Sequence, residues 1–405
     1  MALWRGSKLM TKTLYTYEFD MPTVAIIRKG AETYSIKTNT EYRFKQIQEI
    51  TAEDLAWCDI VNMIRPNDPY SAHLAKCAQE AGKFVISYYD DDLYNLPDSV
   101  PNPFWRKKSI RKALACSNMV SSSSRYICEK YIKYTLGKRS YTGDAVVDST
   151  DIKRIPKMES ATVPAEKVKL IYAANPSHVA FFNQYILPIM PQLCQKYAGK
   201  ISMTFMGVRP DLQEFESQIE ITYHTTMPLD EYREKIKSGA FDIGLSPLPT
   251  DEFTKCKYFN KFIEYTMAGI VGVYSDTEPY TYVVKHEHNG FLAKSDPADW
   301  YECLCKAIDD ALLRNQCICA AQDLLLREFT QEASLRRQNE AVPELLAYQS
   351  EKKTVGSLQP YKMLHSWLPV IERIYQVFFY WRRTGISGVI DKIKVHFRDG
   401  KAYSK

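Results

Sequence analysis

FDIGLSPLPTDEFTKCKYFNKFIEYTMAGIVGVYS (residues 241–275) switches twice between two hydrophobic patterns. Its ends, 241–248 and 270–275, are short, nearly continuous apolar runs, as expected of strands buried on both faces. Its middle, 257–269, places Phe259, Phe262, Ile263 and Met267 three or four residues apart, which puts them on adjoining faces of a helix. Gly269 then supplies a stop. Strand, helix and strand in this order form a βαβ unit, which implies a parallel sheet covered by helices.

The same alternation extends in both directions. Upstream, strands are expected at 167–173, 200–207 and 220–224, with helices from Phe182 to Tyr197 and over 230–239. Downstream lie a long helix at 297–314 and two more reaching about Tyr348. The first third repeats the pattern. Strands are expected at 23–29, 59–65 and 83–90, and helices at 39–50, 68–82, 104–117 and 125–136, with Asp68 a cap and Gly82 a stop. Residues 148–167 are polar, contain Pro156 and Pro164, lack periodicity and read as a linker. Three parts follow: a Rossmann-like domain over 1–150, a second over 165–348, and a tail over 349–405.

With 405 residues, 45% hydrophobic and 25% charged, the chain has the composition of a soluble globular protein. That excludes a disordered chain and a multi-span membrane protein. The net charge of +5 is uneven: from Lys352 to Lys405 it is +8, so the remainder is slightly acidic. In the tail, Trp367, Val370, Ile371, Ile374, Phe378 and Trp381 recur at helical spacing, followed by Arg382-Arg383. A basic amphipathic segment of this kind, 366–398, suits peripheral contact with an anionic membrane. The alternative is a stripe packed back onto the first domain. Nucleic acid is not expected as a partner, because the basic excess is not spread over a folded face. None of the ten cysteines forms a C-x-x-C, and Cys303/Cys305 and Cys317/Cys319 are two apart on helical patterns, so neither zinc nor disulfides are expected. Residues 1–20 carry Arg5, Lys8, Lys12, Glu18 and Asp20 without an apolar core, and no 18-residue apolar run occurs. The expected location is cytoplasmic, peripheral on the inner face of a membrane.

Within 241–275, Lys257, Lys261 and Glu264 fall at i, i+4 and i+7 of the expected helix and so share a face. A solvated charged stripe is the bland reading. The other faces are strongly apolar, however, so a polar stripe here has work to do. Two ammonium groups can hold a diphosphate, and a carboxylate one turn on can accept hydrogen bonds from two adjacent ribose hydroxyls.

Extended to Trp300, this segment (FDIGLSPLPTDEFTKCKYFNKFIEYTMAGIVGVYSDTEPYTYVVKHEHNGFLAKSDPADW, 241–300) resembles the nucleotide-sugar-binding region of group 1 type, family 4-like glycosyltransferases of the GT-B fold, above all bacterial enzymes that build capsule, O-antigen or other surface polysaccharides. The resemblance implies an α/β fold of two Rossmann-like domains facing across a cleft. It also implies transfer of a hexosyl group from a nucleotide-sugar donor to a glycan or lipid-linked acceptor, with retention of configuration and no cofactor or metal. By this likeness Glu264 is the ribose ligand and Lys257 and Lys261 the phosphate ligands. Ser275, Asp276 and Pro279-Tyr280 flank the nucleotide, with Tyr280 a donor contact, and Asn289-Gly290 matches the family's turn. Relatives often carry a second Glu eight positions before the ribose Glu; here that position is Cys256. The family's role for that Glu therefore does not carry over.

Two further segments resemble the same group. DIVNMIRPNDPYSAHLAKCAQEAGKFVISYYDDDLYNLP (59–97) ends in Asp90-Asp91-Asp92 at a strand's carboxyl end. These carboxylates are candidates for a base or an acceptor-hydroxyl ligand, with Arg65 pointing into the same cleft on the acceptor side. Magnesium binding and a simple capped turn are the alternatives; acceptor recognition is favoured because GT-B enzymes generally need no bound metal. Asn175-Pro176-Ser177-His178, after strand 167–173, occupies the loop that faces the donor in the family. There Asn175 and Ser177 are candidate donor contacts and His178 a candidate catalytic group, or else a polar surface residue. Rival readings are a nucleotide-sugar epimerase on the same architecture and a non-catalytic nucleotide- or sugar-binding subunit.

Overall fold

The computed structural model describes residues 10–38, 40–98, 100–160, 167–350 and 358–402. They form two compact units: the chain up to Thr142 together with that from Gln338 onward, and Gly143–Arg337. The exchange points thus fall at 142/143 and 337/338, earlier than the domain limits read from the sequence at 150 and 348.

The N-terminal unit contains β1 (Lys12–Tyr17), α1 (Pro22–Thr38), β2 (Glu41–Gln46), α2 (Ala52–Trp57), β3 (Ile60–Ile64), α3 (Pro69–Glu80), β4 (Phe84–Tyr88), α4 (Phe104–Ala115), β5 (Met119–Ser122), α5 (Arg125–Tyr131) and β6 (Ser140–Thr142). Its six strands are all parallel, in the order β2-β1-β3-β4-β5-β6. The order reverses between β1 and β3, and such switch points open a crevice at the strands' carboxyl ends.

Two expectations fail here. Residues 23–29 are not a strand but the start of α1. Pro22 occupies the first helical turn, where its fixed φ suits a helix, and Val24 and Ala31, seven apart, are the residues α1 buries. Residues 39–50 are not a helix. Tyr42 and Phe44 alternate with Arg43 and Lys45 along β2, an edge strand whose cations protect its open side. The true first strand, β1, lies before both.

The second unit contains β7 (Val168–Ala173), α6 (Val179–Tyr185), α7 (Met190–Tyr197), β8 (Ile201–Met206), β9 (Glu220–His224), α8 (Leu229–Ser238), β10 (Ile243–Ser246), α9 (Asn260–Ala268), β11 (Val271–Ser275), β12 (Phe291–Ala293), α10 (Pro297–Asp309) and α11 (Ala311–Glu328), and α12 (Gln331–Ala341) crosses from it into the first unit. Its parallel sheet runs β12-β11-β10-β7-β8-β9, the dinucleotide-binding order with its switch point between β7 and β10. Phe182, Phe205, Phe291 and Trp300 fill one core layer, and Phe259, Phe262, Tyr265 and Leu325 another.

The expected linker, as far as residue 160, packs against this second unit. Ile152, and Val147 just before the segment, enter its core. Gln322 of α11 donates to the carbonyls of Lys153 (2.7 Å) and Thr266 (3.1 Å), and Asn315 donates to that of Pro156 (2.9 Å). Gly269, at φ +78°, caps α9 so close to this segment that a Cβ would lie 2.7 Å from Ile155.

The chain then returns to the N-terminal unit. Val342 and Leu345 join Ile60 and Phe84 in its core, and Tyr348 donates to the Gly82 carbonyl at 3.0 Å. The last helix, α13 (Gln359–Ala402), is broken at Gly385, where φ is +69°.

Candidate functional site

The carboxyl ends of β7 and β10 flank the switch point of the second unit. The loop after β7 holds Asn175 and Ser177, both exposed, and His178, partly buried. Tyr172, at the core of β7, donates from its hydroxyl to the His178 carbonyl (2.9 Å), and the imidazole lies 4.8 Å from the Phe181 ring. The loop after β10 leads to Lys257 and then α9.

Lys257 is not on the helix. It follows a short 3-10 turn, Thr254–Cys256, in an extended conformation, and α9 starts only at Asn260. The one-face argument for Lys257 therefore fails, because the turn's sharper winding breaks the helical register. Burial, then the charges of Lys257 and Lys261, push the His178 imidazole down to a pKa of about 4. Both lysines thus raise the potential around a His that is neutral at pH 7.

Glu264 and Lys261 do share the α9 face. Lys261 Nζ donates to Glu264 Oε2 at 2.7 Å. Tyr232 of α8 joins them: its hydroxyl donates to Glu264 Oε2 at 2.9 Å and accepts from Lys261 at 2.8 Å. Burial, then the Glu264 charge, keeps this phenol protonated far above neutral pH. Nothing in the sequence singled out Tyr232, since α8 shows only ordinary helical periodicity. Both bonds converge on Oε2, and no described residue is seen to bond Oε1.

Tyr280 does not present its ring as a ligand surface. It is 3% exposed, its hydroxyl is 2.5 Å from Ser246 Oγ, and its ring packs 4.7 Å from Tyr274. Its part is to hold the ends of β10 and β11 in place, as does Ser275, which accepts from the Leu248 amide at 2.8 Å. Asp276 is exposed. Cys256 is buried, with its thiol on the Glu252 carbonyl at 3.3 Å, so it offers no polar group to a ligand.

His178 gives a pH test. A folded-state pKa of about 4 lies below the unfolded value near 6.5, so the unfolded chain takes up its proton first as pH falls. Stability that is complete above pH 6.5 is therefore lost between 6.5 and 4. Allowing for partial solvent screening, His178→Gln is expected to remove a pH-dependent loss on the order of 1–2 kcal/mol in that window. Denaturant midpoints of both proteins at pH 7 and 4.5 measure it, and identical pH dependence would contradict the assignment.

The N-terminal unit has its own polar cluster, also at a switch point. Arg65, just after β3, has φ +54°, a conformation that non-glycine residues rarely adopt. Its amide donates to the Tyr88 carbonyl at 2.8 Å and its own carbonyl accepts from Asn67 at 2.8 Å, and these bonds hold the bend. Its guanidinium grips Asp90 through Nε and Nη2 and reaches Asp91 Oδ2 at 3.0 Å. Thr23, near the start of α1, also donates to Asp90. Asp90 is thus a clamped carboxylate rather than an open base, while Asp91 is the more exposed of the pair.

Asp92 is not at the surface. With 0% exposure it accepts from Lys130 at 2.6 Å, Tyr131 at 2.8 Å and the Asn95 amide at 3.1 Å. Burial alone would raise its pKa, but these donors outweigh it and hold the carboxyl below the usual range. Its expected catalytic place is corrected to a structural one: it ties the turn after β4 to α5. Among the described residues no group of three or more metal-ligating side chains forms a metal site.

No protein-family model matches this sequence, and no curated protein matches it at the sequence level. Solved structures do resemble it in fold. HepE from Anabaena, in complex with UDP and glucose, superposes with a TM-score of 0.55 at 12% identity, over 82% of this chain and 99% of its own. A glycosyltransferase from Rickettsia africae gives 0.57 at 12% identity, over 84% and 100%. Sucrose-phosphate synthase from Thermosynechococcus elongatus gives 0.58 at 10% identity, over 84% and 100%. Two parallel, helix-flanked six-stranded sheets with a C-terminal helix, matched over nearly the full length of such structures, make the fold of this chain GT-B.

Proposed function

We propose that this protein is a glycosyltransferase that binds a nucleotide-sugar donor in its second unit. The observation that carries the reading is the Lys261–Glu264 pair on α9, beside the β7/β10 switch point, together with the charges of Lys257 and Lys261 acting on His178 after β7. Glycosyl transfer expels a nucleoside diphosphate, so negative charge develops on its phosphates. Two ammonium groups fixed beside that position stabilise this charge. The neutral His178 can donate or accept one hydrogen bond to phosphate or sugar without competing for charge. Glu264 Oε1 takes the ribose hydroxyls while Tyr232 and Lys261 orient the carboxylate. The complex of HepE with UDP and glucose supports the donor class.

The finer reading follows the sequence resemblance. The sugar is a hexose, transferred with retention, without a bound metal, onto a lipid-linked glycan of surface polysaccharide synthesis. The clamped Arg65-Asp90 pair, with Asp91, recognises the acceptor, and the tail lies against the membrane that carries it.

Thermal-shift titration with UDP, GDP, ADP, dTDP and CMP, with and without EDTA, tests this. One nucleoside diphosphate is expected to raise the melting temperature, by an amount EDTA does not change. At a hundred times its Kd, bound nucleotide adds about 2.7 kcal/mol of stability. If none shifts the folded protein, the donor site is misassigned.

A further inference from the structure

The last helix turns its apolar stripe outward. Trp367, Val370, Ile371, Ile374, Phe378 and Trp381 share one face of α13, and all six are exposed, Trp367 and Ile374 by 65% each. An adjoining side holds the helix to its unit. Leu368 is buried, Glu372 pairs with Arg106 at 3.0 Å, and Tyr375 donates to the Asn102 carbonyl at 3.2 Å. The stripe is therefore not packed back onto the first domain, and an apolar surface this long marks a contact. Arg373, Arg382 and Arg383 are exposed beside it.

Next to it, α4 carries a row to which the sequence reading gave no role. Phe104, Lys107, Lys108, Arg111 and Lys112 fall at i, i+3, i+4, i+7 and i+8, on one face, while Ser109, Ile110, Ala113 and Leu114 are buried on the other. Phe104 is 85% exposed. The helix holds no acidic residue, and among the described residues none of these four cations pairs with a carboxylate. Lys107/Arg111 and Lys108/Lys112 repel at i, i+4. A merely solvated face mixes signs; this one keeps a single sign around an exposed aromatic. The two helices are joined where Trp105 packs edge-on against Tyr375, 6.2 Å apart, next to the Arg106–Glu372 pair.

We propose that α4 and α13 form one docking face for a bilayer containing anionic lipid. The α13 stripe and Phe104 enter the boundary between headgroups and acyl chains, and Lys107, Lys108, Arg111 and Lys112 meet the headgroup charge. The inference rests on the membrane contact proposed for the tail and adds a second, electrostatic element to it. It is independent of the donor site.

The test is cosedimentation of the full chain with vesicles of phosphatidylcholine alone or mixed with phosphatidylglycerol. Each cation near such a surface contributes about fivefold to partition, so K107Q/K108Q/R111Q/K112Q is expected to weaken binding to the anionic vesicles on the order of several hundredfold. The native protein's preference for anionic vesicles is expected to fade as salt rises. The exposed-site variant Ile374→Asp with Phe378→Asp is expected to lose binding to both vesicles. Unchanged melting and an unchanged nucleotide shift certify both variants as folded. If the fourfold variant binds like the native chain, α4 has no part and only the tail contact stands. If the native chain binds neither vesicle, both membrane readings fall while the donor site is untouched. A native dimer that the Ile374/Phe378 variant splits, without vesicle binding, would make the stripe an interface between copies and overturn the proposal.

Discussion

Exchanging Glu264 for Gln is expected to weaken binding of the nucleoside diphosphate by one to two orders of magnitude. The substitution keeps the shape of the side chain and removes its charge. A hydrogen bond to a charged group is worth about 1.5–3 kcal/mol, and 1.4 kcal/mol is tenfold in Kd. The fold should be nearly indifferent, because Glu264 is only partly buried and its partners Tyr232 and Lys261 are partly exposed as well. Tyr232→Phe is a graded companion: it removes one bond that orients the carboxylate and is expected to cost about 0.5–1.5 kcal/mol, roughly two- to tenfold. Calorimetric titration of the three proteins gives the comparison. Equal affinity across all three would remove Glu264 from the ribose position.

Asp92→Ala is expected to cost stability rather than chemistry. Asp92 is fully buried, and its removal takes the charged acceptor away from the Lys130 ammonium and the Tyr131 hydroxyl. Breaking a buried pair from one side typically costs about 3–5 kcal/mol. For a unit of this size that is roughly 6–20 °C in melting temperature. The same carboxyl predicts acid sensitivity. Its folded pKa lies below the unfolded value near 3.9, so its contribution is complete above that value and is lost as pH falls through the lower, folded one. Asp91→Asn, at a more exposed position, should leave melting nearly unchanged. A melting point for Asp92→Ala equal to that of the native chain would return Asp92 to the candidate catalytic groups.

The contrast between these neighbours marks where sequence reading ends. Asp90, Asp91 and Asp92 are chemically identical and adjacent, so composition and spacing cannot rank them. The turn after β4 decides: it directs one carboxylate to Arg65, leaves one near the surface and buries the third against α5. Lys257 teaches the same from the other side. The helical spacing read for it does not hold, because it lies ahead of α9 in an extended conformation. Tyr232 and Thr23 reach their sites from elements distant in the chain, with no local signal.

The errors in the first fifty residues have a related origin. β-branched residues in 23–29 and charged helix formers in 39–50 carry local preferences that tertiary context overrides. In the central strands the preferences and the burial agree, and there the reading held.

What the sequence determined by itself is the repeating strand-helix order, and with it two parallel sheets, because a strand buried on both faces must be written in continuous apolar residues. It also determined the residue types that stand after β7 and on α9. The tertiary structure alone decided which strands became neighbours, where the two switch points fell, and that the chain's end completes the first unit. It also decided that the apolar stripe of α13 faces outward. These depend on long-range packing, in which a side chain's partner is set by the fold and not by its place in the chain.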